Sequence, residues 1–132
     1  MKNVYIVRHS LAEGQAPDAP LTAAGVRQAH KLAEFLADKG IEHILSSPYE
    51  RAFRAIAPLA EKLGLNIVTD DRLTERILSG SDHPEWRDML RKTYEDLDLC
   101  NEGGESSTTA MNRASSVTCG GNCCYFTGFL AQ

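Results

Sequence analysis

The chain has 132 residues, of which 42% are hydrophobic and 24% charged, and its formal net charge is −4. This composition is that of an ordinary globular domain and excludes both a disordered chain and a membrane protein. A negative chain lacks the basic face that a nucleic-acid or membrane-surface binder needs, so we expect neither partner. The amino-terminal segment lacks the long apolar core of a secretory signal. We therefore expect one cytoplasmic domain over residues 1–132.

The first apolar stretch, Val4–Val7, is followed directly by Arg8 and His9. Four β-prone residues without alternation predict a strand covered on both faces, as in a parallel sheet. Open α/β sheets bind ligands beyond the carboxyl ends of their strands. A guanidinium grips phosphate oxygens, and a neutral imidazole nitrogen can attack phosphorus. Arg8 is therefore a candidate phosphate ligand and His9 a candidate nucleophile.

Helical and strand patterns then alternate along the chain. The order strand, helix, strand, helix, strand predicts a parallel sheet with right-handed crossovers. A later helix carries an apolar stripe that includes Trp86, Leu90 and Tyr94, and this stripe predicts packing into the core. The pattern predicts strands over residues 41–45 and 65–69, and helices that begin after Thr22, after Ser47 and over residues 84–97 and 110–117.

Two further residues belong to the same predicted edge of the sheet. Arg51 falls in the first turn of the helix that follows Ser47, where the backbone N–H groups and the side chain both favour an anion. Glu75 lies in the loop after the third strand, and a carboxyl group near a phosphate can protonate a leaving oxygen if its pKa is raised. From spacing alone, an exposed helix arginine explains Arg51 equally well, and a lone glutamate in a loop is more often just a surface charge.

Five separated segments resemble the histidine phosphatase superfamily, the phosphoglycerate-mutase-like group, and they occur in the family's order. The resemblance implies an α/β fold of three layers, α/β/α, around a mostly parallel central sheet. It also implies that His9 attacks phosphorus, that Arg8 and Arg51 neutralise the phosphoryl oxygens and that Glu75 protonates the leaving alcohol, with no cofactor and no metal. The segments are VRHS at 7–10, PLTAAGVRQA at 20–29, SSPYERA at 46–52, LTE at 73–75 and GGES at 103–106.

The carboxyl-terminal part departs from the family's pattern. The family uses a second histidine at the end of a later strand, but no histidine follows His83 here, and the similar string VTCGG has Cys119 in its place. A thiol carries no positive charge and donates only weakly. Residues 107–118 are too few for a helix, a turn and a strand, so we expect a sheet that is incomplete at its C-terminal end, with 118–132 atypical. Two explanations stay open: a divergent or truncated member, or a last part altered by a deletion or a shifted reading frame.

The residues and the resemblance together predict a phosphomonoester hydrolase that forms a phosphohistidine on a small phosphorylated substrate and is impaired by the missing histidine. The alternatives are a non-catalytic phosphate-binding or vestigial protein and mutase-type phosphoryl transfer, for which the short chain leaves little room. We expect the loops 11–19 and 78–86 to determine which substrate is bound. The four cysteines are expected to be free thiols rather than a zinc site, and the apolar tail predicts self-association.

Overall fold

The structure, a computed structural model, describes residues 3–117 and the backbone of residues 123–126. Strands and helices alternate, which confirms the α/β class. A 3₁₀ turn, Asp71–Leu73, follows the third strand. The strands are β1 (Val4–Val7), β2 (His43–Ser46), β3 (Ile67–Thr69) and β4 (Cys123–Phe126), and the helices are α1 (Ala23–Leu36), α2 (Glu50–Leu63), α3 (Trp86–Glu95) and α4 (Ser107–Ser115).

The four strands form one parallel sheet in the order β1-β4-β2-β3. β4 lies between β1 and β2, so Phe126 pairs with Val7 on one side and with Ser46 on the other. On the far side of β2, Ser46 pairs with Thr69 of β3. Because all four strands run the same way, their carboxyl ends meet at one edge, and His9 follows β1 at that edge.

The last strand lies later in the chain than the sequence interpretation placed it. The helix α4 runs to Ser115, which leaves too few residues for a strand before Cys119, and β4 begins instead at Cys123. Cys119 itself lies outside the described residues. It precedes β4, whereas His9 follows β1, so β4 is not a strand that ends at Cys119.

The main core lies between the sheet and the helix pair α1 and α2. Thr22 caps α1 by accepting a hydrogen bond from the Gly25 N–H, and Gly64 ends α2 with a positive φ of 67°. Small alanines on both helices allow them to approach closely. The core cluster consists of Ala33, Leu36, Ile41, Ile44, Ala55, Ile56, Leu59 and Ala60.

The strand β1 is covered on one face. Tyr5 and Val7 pack against the core cluster, whereas Val4 and Ile6 are 53% and 57% exposed. The prediction that this strand is covered on both faces is therefore wrong. Successive side chains of a strand point to opposite faces, and the helices α1 and α2 cover only one of them.

The helix α3 does not pack into the core as its apolar stripe predicts. Thr93 is its one buried residue, whereas Trp86 and Tyr94 are exposed. The prediction failed because periodicity shows that a helix has an apolar face but not what covers that face. Trp86 and Leu90 instead line an open cleft.

Three sequence predictions stay untested. Among the described residues, no helix is long and apolar enough to cross a membrane. Cytoplasmic location, a single domain over 1–132 and self-association through the tail remain predictions. Cys100 is an exposed free thiol, and the side chains of the other three cysteines lie outside the described part.

Candidate active site

A cleft of about 840 Å³ opens at the carboxyl edge of the sheet. All four residues that the sequence singled out, Arg8, His9, Arg51 and Glu75, line it. They come from the end of β1, the start of α2 and the loop after β3, so the fold brings together groups that are far apart in the chain. The four candidate residues therefore share one cleft, as the predicted reaction requires.

The carboxylate of Glu75 lies at the centre of this group. Its Oε1 is 3.3 Å from His9 Nε2 and 2.8 Å from Arg51 Nε. Burial alone would raise the pKa of Glu75, but the hydrogen bonds from His9 and Arg51, together with their charges, outweigh it and lower the pKa from 4.5 to about 2. Glu75 is therefore ionised at neutral pH while these contacts persist. To act as a proton donor it needs a higher pKa, and that requires its contacts with His9 and Arg51 to change.

The His9 ring is oriented by the backbone that follows it. Its Nδ1 lies 2.7 Å from the Ser10 carbonyl oxygen. Because a carbonyl only accepts, Nδ1 carries a hydrogen, and Nε2 is turned toward Glu75. Because the Glu75 carboxylate is ionised and can only accept, a hydrogen bond between this pair has Nε2 as donor and Oε1 as acceptor.

The Arg51 side chain is buried within the site and does not extend into solvent from α2. It is only 1% exposed. Besides its bond to Glu75, its Nη1 donates to the carbonyls of Gln15, at 3.1 Å, and Ala16, at 2.9 Å. The guanidinium also lies 4.9 Å from the centre of the Tyr49 ring. Arg51 thus fixes the loop 11–19 as one wall of the cleft, while its Nη2 makes no hydrogen bond to a described residue.

Two more arginines belong to the cleft. Arg8 is exposed and forms no ion pair within the described part of the chain, so it is open to an anion. Arg76 is nearly buried, and its Nη1 donates to Ser107 Oγ at 3.2 Å, at the start of α4. Sequence reasoning gave Arg76 no role, because its position next to Glu75 was the only signal.

Arg113 of α4 holds the turn that carries Glu75, and no sequence motif indicated this. Its Nε and Nη2 each donate to the Glu105 carboxylate at 2.8 Å. Its Nη1 donates to the carbonyls of Arg72, at 2.8 Å, and Thr74, at 2.7 Å. Contacts from a side chain to distant carbonyls leave no sequence pattern, so this role of Arg113 could not be predicted.

The GGES segment supports the opposite wall of the cleft. A Cβ at Gly104 would collide with the Leu78 carbonyl oxygen, so only glycine allows the two backbones to approach this closely. The Glu105 N–H donates to the Ile77 carbonyl at 2.8 Å, and the Gly80 N–H donates to the Glu102 carbonyl at 2.8 Å. This motif therefore fixes the segment 77–80 that follows Glu75.

These features define an α/β protein whose site lies where the parallel strands end. The model of the histidine phosphatase superfamily (branch 1) matches residues 4–119. The chain belongs to this superfamily, which confirms the resemblance that the motifs carry.

Curated relatives share part of their length with this chain. The probable phosphoglycerate mutase GpmB of Yersinia pestis (strain Pestoides F) is 41% identical over 83 residues, which covers 57% of this chain and 38% of that protein. A protein of the same name from Yersinia pseudotuberculosis (serotype O:1b, strain IP 31758) matches with the same identity and coverage. The chain therefore spans about two-fifths of the length of these relatives.

Solved structures share the fold. The mycobacterial glucosyl-3-phosphoglycerate phosphatase Rv2419c in complex with inorganic phosphate matches with a TM-score of 0.78 at 25% identity, over 92% of this chain and 70% of that one. Bacillus stearothermophilus YhfR matches with a TM-score of 0.77 at 22% identity, over 97% of this chain and 75% of that one. Both likenesses confirm the α/β fold.

Proposed function

We propose that this chain is a phosphomonoesterase that transfers a phosphoryl group through His9. The observation that carries the proposal is the shared oxygen of Glu75, which His9 Nε2 and Arg51 Nε both contact inside the cleft. An oxygen between a histidine and a buried guanidinium occupies the place of a phosphoryl oxygen that faces its nucleophile. The phosphatase and the probable mutase among the similar proteins support phosphoryl chemistry.

Binding of the substrate changes the state of Glu75. When phosphoryl oxygens take over Arg51 and Arg8, Glu75 loses a cationic partner and gains a dianion as its neighbour. Both changes raise its pKa, because a like charge disfavours the ionised form. The proton between His9 and Glu75 then passes to Glu75. One exchange thus prepares both a neutral imidazole with a free Nε2 lone pair and a protonated carboxyl group.

The reaction then has two steps. In the first, Nε2 attacks phosphorus, the N–P bond forms as the ester P–O bond breaks, and the leaving oxygen takes the proton of Glu75. In the second, the Glu75 carboxylate takes a proton from water as that water attacks phosphorus, the P–N bond breaks and inorganic phosphate leaves. A charged hydrogen bond contributes about 1.5–3 kcal/mol. A cysteine in place of the second histidine should therefore slow turnover by about one to two orders of magnitude without abolishing phosphate binding.

A phosphate-binding protein without turnover is the second candidate. The observation that favours it is Cys119, which stands in the string VTCGG where the family's pattern has its second histidine. In that case Arg8, His9 and Arg51 would bind an anion, and no phosphohistidine would form.

Hydrolysis of 4-nitrophenyl phosphate tests the proposal. We expect His9→Ala to remove turnover and the control His43→Ala, an exposed histidine on β2, to leave it unchanged. An acid-labile phosphoryl adduct should appear by ³¹P NMR in the original chain and not in His9→Ala. Equal turnover in His9→Ala would exclude the phosphohistidine route. Saturable phosphate binding by a folded chain that hydrolyses nothing would select the second candidate.

A further inference from the structure

The part of the cleft that residues 76–90 line, here called the outer half, has several large apolar side chains beside polar ones. Beyond the four residues at its phosphate end, the walls include Ile77, Leu78, Trp86 and Leu90. Ile77 is 53% and Trp86 is 47% exposed. Large apolar side chains that stay exposed in a concave surface are typical of ligand sites, and a volume of about 840 Å³ lies within the range of such sites.

The charges of this outer half disfavour a second anionic group. Asp82 is its carboxylate, and His83 lies 3.9 Å from Glu85. Arg76 is nearly buried and donates to Ser107. Among the described residues, no exposed lysine or arginine lines this half of the cleft. A carboxylate or a second phosphate on the alcohol part would therefore be repelled by Asp82, and among the described residues of this half the buried Arg76 is the one arginine that could offset that charge.

The Trp86 ring is held in place from outside the cleft. The guanidinium carbon of Arg87 lies 5.1 Å from the ring centroid, and Arg87 does not line the cleft. This cation–π contact orients the ring without placing the positive charge among the cleft-lining groups. Trp86 therefore provides a fixed aromatic wall.

We propose that this site accepts phosphomonoesters whose alcohol part is an uncharged aromatic or alkyl group, held against Trp86, Ile77 and Leu90, in preference to esters that carry a second anionic group. The inference rests on the proposed function for the phosphate end of the cleft. It goes beyond that function because it names the chemical class of the alcohol.

Phosphonates test the inference without turnover, because their P–C bond is not hydrolysed. Phenylphosphonate, methylphosphonate and phosphonoacetate are compared at a pH where each phosphonate group is a dianion. Trp86 is the only tryptophan in the chain, so its fluorescence reports occupancy of the outer cleft directly. We expect phenylphosphonate to bind about tenfold more tightly than methylphosphonate, because the ring buries apolar surface. Phosphonoacetate should bind no more tightly than methylphosphonate.

Substitutions in the apolar wall test whether its side chains cause the preference for phenylphosphonate. Ile77→Ser and Leu90→Ala should reduce the advantage of phenylphosphonate to about threefold or less and leave methylphosphonate unchanged. Trp86→Ala should do the same by calorimetry, which needs no tryptophan signal. Ile77 is largely exposed, so its substitution does not threaten the core. The control is Phe35→Ala, an exposed aromatic residue on α1 outside the cleft, which should change neither affinity.

The outcomes separate the two proposals. Equal affinity for phenylphosphonate and methylphosphonate, or tighter binding of phosphonoacetate, would overturn the substrate class and leave the proposed function standing. A preference for phenylphosphonate without hydrolysis that depends on His9 would overturn the proposed function and keep the ligand class. A folded chain that binds none of the three phosphonates would contradict both.

Discussion

The oxygen Oε1 of Glu75 has two partners, the His9 ring and the Arg51 guanidinium, and this has a consequence for ligand affinity. His9 and Arg51 both contact it. In the proposed function a phosphoryl oxygen takes the same place, so Glu75 competes with every phosphate that enters. A ligand must therefore break a buried ion pair before it gains Arg51, and the pair discriminates against weak anions.

The lowered pKa of Glu75 predicts a specific loss of stability in acid. The folded protein binds this proton more weakly than the unfolded chain does, because the pKa falls from 4.5 to about 2 on folding. The resulting stabilisation is complete above the unfolded value and is lost as the pH falls through the folded one. It amounts to roughly 2 kcal/mol after an allowance for solvent screening.

Urea unfolding at a pH above 4.5, and again at pH values between 4.5 and about 2, measures the effect. Glu75→Gln has no carboxyl group to titrate here, so its free energy of unfolding should fall less steeply than that of the original chain. Identical slopes for the two proteins would show that the Glu75 contacts do not persist in solution.

The geometry of Arg51 predicts that lysine cannot replace it. A guanidinium can reach Glu75 and two carbonyls at once in its planar fork, and an ammonium group cannot. We expect Arg51→Lys to lower the free energy of unfolding by about 2–4 kcal/mol. Arg54→Lys is the matched control, because Arg54 pairs with Glu50 on the exposed face of the same helix. It should change stability by about 0.5 kcal/mol or less, and equal losses in the two variants would contradict the role given to Arg51.

At the level of elements, α4 acts on the site through the backbone. Arg113 touches the carbonyl of Thr74, the residue before Glu75, and not Glu75 itself. Its pairing with Glu105 fixes the guanidinium in turn. The helix is therefore a positioning element whose loss would misplace the proton donor of the proposed reaction.

Leaving-group dependence separates this positioning role from a structural one. Protonation by Glu75 matters for a poor leaving group and hardly at all for a good one. In Arg113→Ala we expect kcat to fall about tenfold for phenyl phosphate and by about twofold or less for 2,4-dinitrophenyl phosphate. Arg91→Ala removes an exposed arginine paired with Asp88 and Glu95 on α3 and should change neither rate. Equal losses for both substrates in Arg113→Ala would mean that Arg113 only stabilises the fold.

The elements that the sequence predicted are those with local signals. The cap at Thr22 and the glycine at Gly64 act within one turn, so the start of α1 and the end of α2 have local signals, whereas α2 begins at Glu50, later than the predicted start after Ser47. The contact of Arg51 with Glu75 joins residues 24 apart, and the family motifs assigned both residues to one site without predicting that they touch. The position of β4 depends on two distant strands that it pairs with, which a local pattern does not contain.

At the scale of the whole molecule, stability rests on one face of the sheet. The core cluster lies between that face and the helices α1 and α2. On the other face, Val4, Ile6 and Val68 remain largely exposed. Substitutions of similar residues on the two faces should therefore differ sharply in how much they lower the free energy of unfolding.

Ile56→Ala tests this asymmetry. Ile56 is fully buried in α2, so the substitution leaves a cavity and should lower the free energy of unfolding by about 2–5 kcal/mol. Val68→Ala, on the exposed side of β3, should cost about 0.5 kcal/mol or less. Thermal or urea unfolding of the two variants measures the difference. A large loss in Val68→Ala would show that the second face is covered in solution.

The position of β4 also sets the order of events during synthesis. The first strand of the chain, β1, pairs with β4, which is made last of the four, and β4 also joins β1 to β2. While the ribosome makes the intervening residues, the edges of β1 and β2 have unpaired backbone groups. Such edges recruit other strands, so the nascent chain depends on fast completion or on chaperones to avoid aggregation. Of the four described strands, the one that delivers Arg8 and His9 is thus made first and among the last to be fixed in place.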